Sequence, residues 1–231
     1  MFLTFSWSHR VFVLMGCLAL SGSAEAHDRS IIELPASFGA TLPCADCPGI
    51  LYRVDLIADG MFFSRMSYKE RNTSFDDVGR WEIAGTTLVL RGSRGAPEGY
   101  TVHPPDSLVR QATTAAEAGL HYELRRLPKF MPIEPDLPMK GLYRADEKEV
   151  VFQDCVSALL WRVAAGGDSA LVKQAYRTAA EASGEWALAS IEAHIVLRAQ
   201  TPAGDEQPTL VVRRFLGISP EHSCPISTRS R

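Results

Sequence analysis

The chain has 231 residues, of which 24 are basic and 27 are acidic, and its net charge is −3. A mildly acidic chain without a basic run lacks the positive surface that nucleic acid requires, so the composition excludes nucleic acid as a partner. The length suits one large domain or two small ones.

Residues 1–26 have the features of a secretory signal peptide. His9-Arg10 ends a short basic region, Val11–Leu20 is an apolar run, and Ala24-Glu25-Ala26 supplies a small-x-small cleavage pattern. The apolar run is too short to remain in a bilayer as a spanning helix. The sequence therefore predicts export to an oxidising compartment.

A second interpretation of the same segment stays open, because Leu14–Cys17 also matches a lipobox. In that case Cys17 carries lipid and anchors the protein to a membrane, which would be its one membrane contact. The apolar run continues past Cys17 to Leu20, which favours cleavage after Ala26. His27 then becomes the N-terminus, and its amine and imidazole offer a chelate for Cu(II).

Four prolines in the segment LPKFMPIEPDLPM predict a semi-rigid connector over residues 128–138. The connector divides the exported chain into a first domain, residues 27–127, and a second domain, residues 139–226. Residues 227–231 form a short tail. Each domain is expected to have its own core and to unfold independently.

The first domain shows only short β-type runs. Asp59-Gly60 stands between two apolar runs, which is a strong hairpin signal. An antiparallel meander of about eight strands closes into a barrel or folds into a sandwich, because open edges favour aggregation. The predicted strands are Phe38–Leu42, Leu51–Ile57, Met61–Tyr68, Val78–Ala84, Thr86–Leu90, Tyr100–His103, Ser107–Gln111 and Leu120–Arg125.

The second domain is mixed. A helix is predicted over residues 169–183, with Asp168 as its N-cap. The apolar face of this helix is predicted to carry Leu171, Ala175, Tyr176 and Ala179. The predicted strands are Leu142–Tyr143, Val150–Asp154, Leu159–Val163, Trp186–Arg198 and Thr209–Leu216. Five strands with one helix indicate a small barrel of the OB type.

Four cysteines remain after Cys17, and an even number in an exported protein favours disulfides. Cys155 and Cys224 both lie in the second domain, and pairing them closes a loop of 69 residues. Such a loop contributes roughly 4 kcal/mol in the chain-entropy model, which favours this pair. Cys44 and Cys47 are then left to each other or to a ligand.

The Cys44–Cys47 pair allows several interpretations. A thioredoxin-like role requires a helix N-terminus to lower a thiol pKa, and the pair lies in a loop between strands. A zinc site requires further ligands that the scattered histidines do not provide. Cu(I) accepts two or three soft ligands, so the pair suffices, with Met61 or Met66 as a speculative third ligand. A structural staple remains equally open, with Asp46 bonding the backbone of its own turn.

No nucleophile–base arrangement, paired carboxylate motif or phosphate-binding loop is present, so the sequence indicates a protein that is not an enzyme. Trp81 alternates with Ile83 along a predicted strand, and Tyr176 lies on the apolar face of the predicted helix. Both aromatic residues are therefore expected in the core.

Several segments closely resemble the NlpE family, the copper-homeostasis and envelope-stress lipoproteins of Gram-negative bacteria. In the first domain they are GATLPCADCPGI (residues 39–50), Asp59-Gly60, Gly79–Trp81 and Leu88–Leu90. In the second domain they are Met139–Tyr143, Ala145-Asp146, Phe152–Cys155, Ala170–Tyr176 and the terminal Cys224. The resemblance covers both domains.

The resemblance implies a mainly β protein, with a lipocalin-like antiparallel β-barrel followed by an OB-fold domain. It also implies a place in the Gram-negative periplasm, either soluble or lipid-anchored to the outer membrane. Cys44 and Cys47 are then the copper or redox pair, and Cys155 with Cys224 the second-domain disulfide.

The resemblance further implies a protein that signals through an envelope-stress two-component sensor kinase and depends on the disulfide-forming machinery. Copper is the expected cofactor. The alternative is a lipocalin-like barrel that binds a small apolar molecule, with Cys44–Cys47 as a staple at its rim.

Overall fold

Eight antiparallel strands close into the first barrel. The structure is a computed structural model that describes residues 31–112, 114, 122–179, 185–199 and 206–225. Each strand pairs with the next, and β8 pairs with β1 to close the barrel. The strands are β1 (Ala36–Leu42), β2 (Ile50–Leu56), β3 (Met61–Tyr68), β4 (Thr73–Ala84), β5 (Thr87–Gly92), β6 (Glu98–His103), β7 (Ser107–Arg110) and β8 (Glu123–Arg126).

The main difference from the predicted strands is at β4, which begins at Thr73 rather than Val78. Residues 73–77 are largely polar, so they give no apolar alternation, but each of them pairs with a residue of Ser64–Tyr68 in β3. The hairpin predicted at Asp59-Gly60 is present, since both residues have the positive φ angles, 64° and 71°, that this turn requires.

The inward-facing residues of the first barrel form its core. Trp81 is partly buried against this core, and its indole N–H donates to the carbonyl of Ile57 at 3.0 Å. Trp81 is therefore a packing residue, as the sequence indicates. The buried core residues include Phe38, Val54, Leu56, Phe62, Leu88, Tyr100, Leu108 and Leu124.

The second barrel has the five strands and one helix predicted from the sequence, among the residues that the structure describes. The strand order is β10-β11-β13-β12-β9, closed by pairing of β9 with β10. Its elements are β9 (Asp136–Ala145), β10 (Val150–Asp154), β11 (Leu160–Val163), α1 (Ser169–Ala179), β12 (Ala187–Ala199) and β13 (Glu206–Ser219). The predicted helix end at residue 183 lies outside the described residues.

Helix α1 packs on the second barrel through Tyr176 and Ala179 of the predicted face, together with Val172, which the prediction left out. Val172 and Tyr176 are buried, one helical turn apart, whereas Leu171 is 51% exposed. The predicted face was therefore wrong at Leu171, which lies about 100° around the helix from Val172. Asp168 does not cap the helix with its side chain; its carboxylate accepts the N–H of Phe215 at 2.9 Å.

Strand β9 begins at Asp136, inside the segment predicted as the connector. Pro138 lies opposite Glu192 of β12, and β10 pairs with β9 only from Gly141 onwards. Pro138 is therefore at a sheet edge, where a missing N–H is tolerated. The connector is correspondingly shorter than residues 128–138.

Each barrel has a core of its own, as the sequence predicts, but the core of the second barrel extends to three residues of the first. Ile57, Phe63 and Val78 of the first barrel are buried in the same apolar cluster as Trp161 and Ile191 of the second. Both barrels lie in one compact unit. We therefore expect them to stabilise each other.

Side chains of the first barrel hold the backbone of the connector. The Asp55 carboxylate accepts the N–H of Ile133 at 2.6 Å, and Asp76 accepts the N–H of Asp136 at 2.8 Å. Polar contacts thus add to the shared apolar cluster.

In the part of the chain that the structure describes, no helix is long and apolar enough to cross a membrane.

Candidate functional site at the Cys44–Cys47 loop

The loop that carries Cys44 and Cys47 connects β1 to β2 at one end of the first barrel. The two strands stay in register up to the pair Leu42 and Ile50. Gly49 closes the loop with a φ of 141°, and a β-carbon at this position would lie 2.8 Å from the Thr41 side chain. Glycine therefore allows the loop to return into β2.

Cys44 and Cys47 form a disulfide, with their Cα atoms 5.3 Å apart. Both cysteines are partly buried, and Asp46 between them is exposed. Oδ1 of Asp46 lies 3.4 Å from Sγ of Cys44. The two sulfurs and a carboxylate oxygen all lie within 4.8 Å of one another, so three donor atoms converge on this loop.

Arg71, in the turn between β3 and β4, is the main partner of Asp46. Its guanidinium donates to Oδ2 at 2.7 Å and to the backbone carbonyl of Asp46 at 3.0 Å. The hydrogen bond and the positive charge of Arg71 lower the pKa of the Asp46 carboxyl. Asp46 therefore joins two loops at the barrel rim, whereas the sequence predicted a bond within its own turn.

The chemistry of the loop depends on its oxidation state. In the disulfide neither sulfur is a thiolate, so neither is a strong metal ligand. Two electrons and two protons convert the disulfide to two thiols beside a carboxylate. Thiolates suit Cu(I), so the donor set fits copper in the reduced state. The flanking elements are strands, so the loop has no helix N-terminus of its own to lower a thiol pKa.

The two predicted methionine ligands lie in different places. Tyr68 of β3 pairs with Ile50 beside the loop, whereas Met61 is at the opposite end of β3. Seven residues of strand span about 23 Å, so Met61 is not near the sulfurs. Met61 packs instead against the shared apolar cluster. Met66 is two residues from Tyr68 and is 37% exposed at the barrel mouth.

Cys155 and Cys224 form the second disulfide, with their Cα atoms 5.5 Å apart. It joins the end of β10 to the C-terminal segment across 69 residues. His222 holds the same segment, because its Nδ1 lies 2.7 Å from the carbonyl of Trp186 and its Nε2 lies 2.8 Å from the carboxylate of Glu185. This disulfide therefore belongs to the architecture of the second barrel.

The predicted residues Cys17 and His27 lie outside the residues that the structure describes, as do the signal segment and residues 227–231. The lipid anchor and the N-terminal copper chelate therefore stay predictions.

Comparison with family models matches both halves of the chain. Residues 38–117 match the NlpE N-terminal domain, and residues 133–225 match the NlpE C-terminal OB domain. The chain belongs to the NlpE family. Lipoprotein NlpE of Escherichia coli (strain K12) is 27% identical over 209 residues, which cover 87% of this chain and 86% of that protein.

Two solved structures are also similar to this NlpE-family chain. The crystal structure of the Cpx pathway activator NlpE from Escherichia coli has 26% identity and a TM-score of 0.34, and covers 81% of this chain and 96% of that one. A structure from Shewanella oneidensis has 25% identity and a TM-score of 0.35, and covers 44% of this chain and 98% of that one. The family assignment rests on the two domain matches.

Sequence reasoning missed two features of the first barrel. Arg71 is separated from Asp46 by 25 residues, and only the closed hairpins bring them together. Glu98 points into the barrel and accepts a hydrogen bond from Tyr100 at 2.6 Å. The one available signal was the i, i+2 spacing of Glu98 and Tyr100, which places both on the same face of a strand.

Proposed function

We propose that this protein is a cell-envelope stress protein that signals rather than catalyses, and that the Cys44–Cys47 loop is its copper- or redox-responsive element. The observation that carries the proposal is the convergence of two sulfurs and the Asp46 carboxylate within 4.8 Å on a rim loop. Membership of the NlpE family in both domains supports the stress role. A relative in Escherichia coli is described as a Cpx pathway activator.

Membership of the NlpE family also supports a cellular location for the protein. The protein acts in the periplasm of a Gram-negative bacterium, and the relative named as a lipoprotein supports an outer-membrane anchor at Cys17. An envelope-stress sensor kinase receives its signal. The disulfide-forming machinery oxidises both cysteine pairs, which links the protein to the oxidising capacity of the compartment.

The loop responds without chemistry on a substrate. A dithiol reductant supplies the two electrons that convert the Cys44–Cys47 disulfide to thiols, and the thiolates then bind Cu(I). Asp46 is adjacent to the sulfurs and bonded to Arg71, so a change at the sulfurs alters the contact between two rim loops. A signalling partner recognises this altered surface of the two rim loops.

The test is a Cu(I) titration of the reduced protein against a competing chelator. Cys44→Ser/Cys47→Ser should lose at least tenfold in affinity. Cys155→Ser/Cys224→Ser controls for a general loss of thiols, and Met61→Leu controls for a distant sulfur; both should bind as the wild type does. Equal affinity of the wild type and Cys44→Ser/Cys47→Ser would show that the pair is not the copper site.

A further inference from the structure

The first barrel contains a cavity of about 250 Å³ whose lining includes Phe75 and Arg94. A smaller space of about 50 Å³ shares Tyr52, Met66 and Glu98 with it. Together these volumes are at the lower end of the range for small-molecule sites, roughly 300–1,000 Å³. The walls of the larger cavity include Tyr52, Phe62, Ser64, Met66, Leu90 and Glu98.

A carboxylate lies where the two spaces meet. Oε2 of Glu98 accepts hydrogen bonds from the hydroxyl of Tyr100 at 2.6 Å and from the hydroxyl of Tyr52 at 3.3 Å. The guanidinium of Arg110 lies 3.8 Å from Oε1 of Glu98. Burial raises the pKa of both tyrosines and the charge of Glu98 adds to the effect, so both hydroxyls remain protonated donors.

Two phenol hydroxyls and a guanidinium form a donor set that suits a carboxylate. Glu98 supplies that carboxylate from within the chain. A ligand acid would have to displace Glu98 or bring a second negative charge beside it in a site partly shielded from water, which is costly. A hydroxyl or ammonium group finds an acceptor there instead.

We propose that this cavity binds a small amphipathic molecule with an apolar body and a hydrogen-bond-donating head, a hydroxyl or an ammonium, and that Glu98 excludes carboxylates. The apolar body contacts Phe62, Met66 and Leu90, and the head contacts Glu98. The alternative function given above has a purely apolar ligand. Because Glu98 places a carboxylate in the cavity, the expected ligand is amphipathic instead. The proposal does not depend on copper or redox sensing at Cys44 and Cys47.

Side chains at the cavity mouth are consistent with entry of an amphipathic molecule. Phe75 is 43% exposed and Met66 is 37% exposed, and both line the cavity. The ring of Tyr68 contacts Phe75 edge to face at 6.0 Å. Asp77 accepts the N–H of Ser93 at 2.9 Å and thereby fixes the loop that carries Arg94. Exposed apolar side chains thus line the cavity on one side, and on the other side the hydrogen bond between Asp77 and Ser93 fixes the loop that carries Arg94.

The test is isothermal titration calorimetry at pH 7 with three probes of equal chain length: n-octylammonium, 1-octanol and octanoate. The wild type should bind octylammonium and octanol at least tenfold more tightly than octanoate. Glu98→Gln should remove the preference for octylammonium and strengthen octanoate at least tenfold, because Arg110 then lacks its internal carboxylate. Glu123→Gln is the matched control, since Glu123 lies on the next strand but one and pairs with Arg125; it should keep the wild-type ranking.

Arg110→Gln provides a second variant if Glu98→Gln does not fold by circular dichroism. It keeps Glu98 and removes the nearby positive charge, so octylammonium should bind severalfold more tightly while octanoate stays weak. The proposal is overturned if the wild type binds none of the three probes or prefers octanoate. It is also overturned if a folded Glu98→Gln keeps the wild-type ranking, or if Arg110→Gln does not favour octylammonium.

Discussion

The two disulfides differ in the length of the loop that each one closes and in the elements that each one joins. Cys44–Cys47 has a sequence separation of 3 and lies on a hairpin loop whose flanking strands are paired, whereas Cys155–Cys224 has a separation of 69 and ties a strand to the C-terminal segment. In the chain-entropy model the short loop is worth about 2 kcal/mol and the long one about 4 kcal/mol. The first pair is therefore free to change state within an intact fold, and the second is part of the fold.

The largest expected effect comes from removing the long-range disulfide. Cys155→Ser/Cys224→Ser should lower the free energy of unfolding by about 4 kcal/mol, because the unfolded chain regains the entropy of an open loop. Urea unfolding monitored by tryptophan fluorescence measures the loss. Since Ile57, Phe63 and Val78 share the core of the second barrel, the first barrel should become less stable as well. A first barrel whose unfolding is unchanged would contradict the packing of these three residues against the second barrel.

The contact between the barrels should give the next largest effect. The side chain of Asp55 is fully buried, and its carboxylate bonds Ser37, Arg53 and the N–H of Ile133. Asp55→Asn removes the charge that Arg53 faces, so we expect a loss of about 2–3 kcal/mol in urea unfolding and faster proteolysis of the connector.

Asp59→Asn is the control for this variant, since Asp59 is exposed in the β2–β3 turn and the substitution makes the same change in charge. It should leave the unfolding free energy and the proteolysis rate of the connector close to wild type. Equal effects of Asp55→Asn and Asp59→Asn would show that the buried carboxylate does not couple the barrels.

Removal of the rim disulfide should have a smaller effect on stability. Cys44→Ser/Cys47→Ser should cost no more than about 2 kcal/mol, because β1 and β2 remain paired without the bond. Circular dichroism should show an unchanged fold, and urea unfolding should show a smaller loss than for Cys155→Ser/Cys224→Ser. A loss as large as that of the long-range pair would remove the distinction between the two disulfides.

The smallest effect concerns the contact between Arg71 and Asp46. The folded-state pKa of Asp46 is lowered by Arg71, so the stabilisation is present above the unfolded pKa and is lost as pH falls through the lowered folded value. Arg71→Gln should raise the pKa of Asp46 towards its usual value of 3.8, as measured by NMR titration of its carboxyl carbon. Arg91→Gln, which removes the partner of exposed Glu82, should leave that pKa unchanged. A pKa of Asp46 that is the same in the wild type and in Arg71→Gln would contradict the contact.

Local signals predicted much of the fold. Short apolar runs and turn residues predicted a meander of about eight strands, as a barrel or a sandwich, and a five-stranded barrel with one helix, and Asp59-Gly60 predicted a hairpin that the structure contains. The start of β4 was missed because residues 73–77 have no apolar alternation and are held by pairing with β3. Strand β9 was missed at Asp136 because the prolines that mark a connector also occur at a sheet edge.

Long-range contacts could not be predicted from the sequence. Asp55 and Ile133 are 78 residues apart, and their bond exists only because the connector crosses the outside of the first barrel. The inward direction of Glu98 contradicts the usual rule that charges face solvent, and Tyr52 and Tyr100 make it tolerable. At the candidate site the cysteines were predictable from their spacing, whereas the contact of Asp46 with Arg71 required the fold.

We expect one difference between the two pairs above all: Cys44–Cys47 changes state while Cys155–Cys224 holds the fold. It is tested most directly by equilibrating the oxidised protein in a series of dithiothreitol redox buffers, alkylating free thiols and mapping the peptides by mass spectrometry. The difference of about 2 kcal/mol between the two loop terms corresponds to about 40 mV, so Cys44 and Cys47 should be alkylated first, with the circular dichroism spectrum unchanged. Reduction of Cys155–Cys224 first, or of both pairs together with loss of structure, would contradict this difference between the two disulfides.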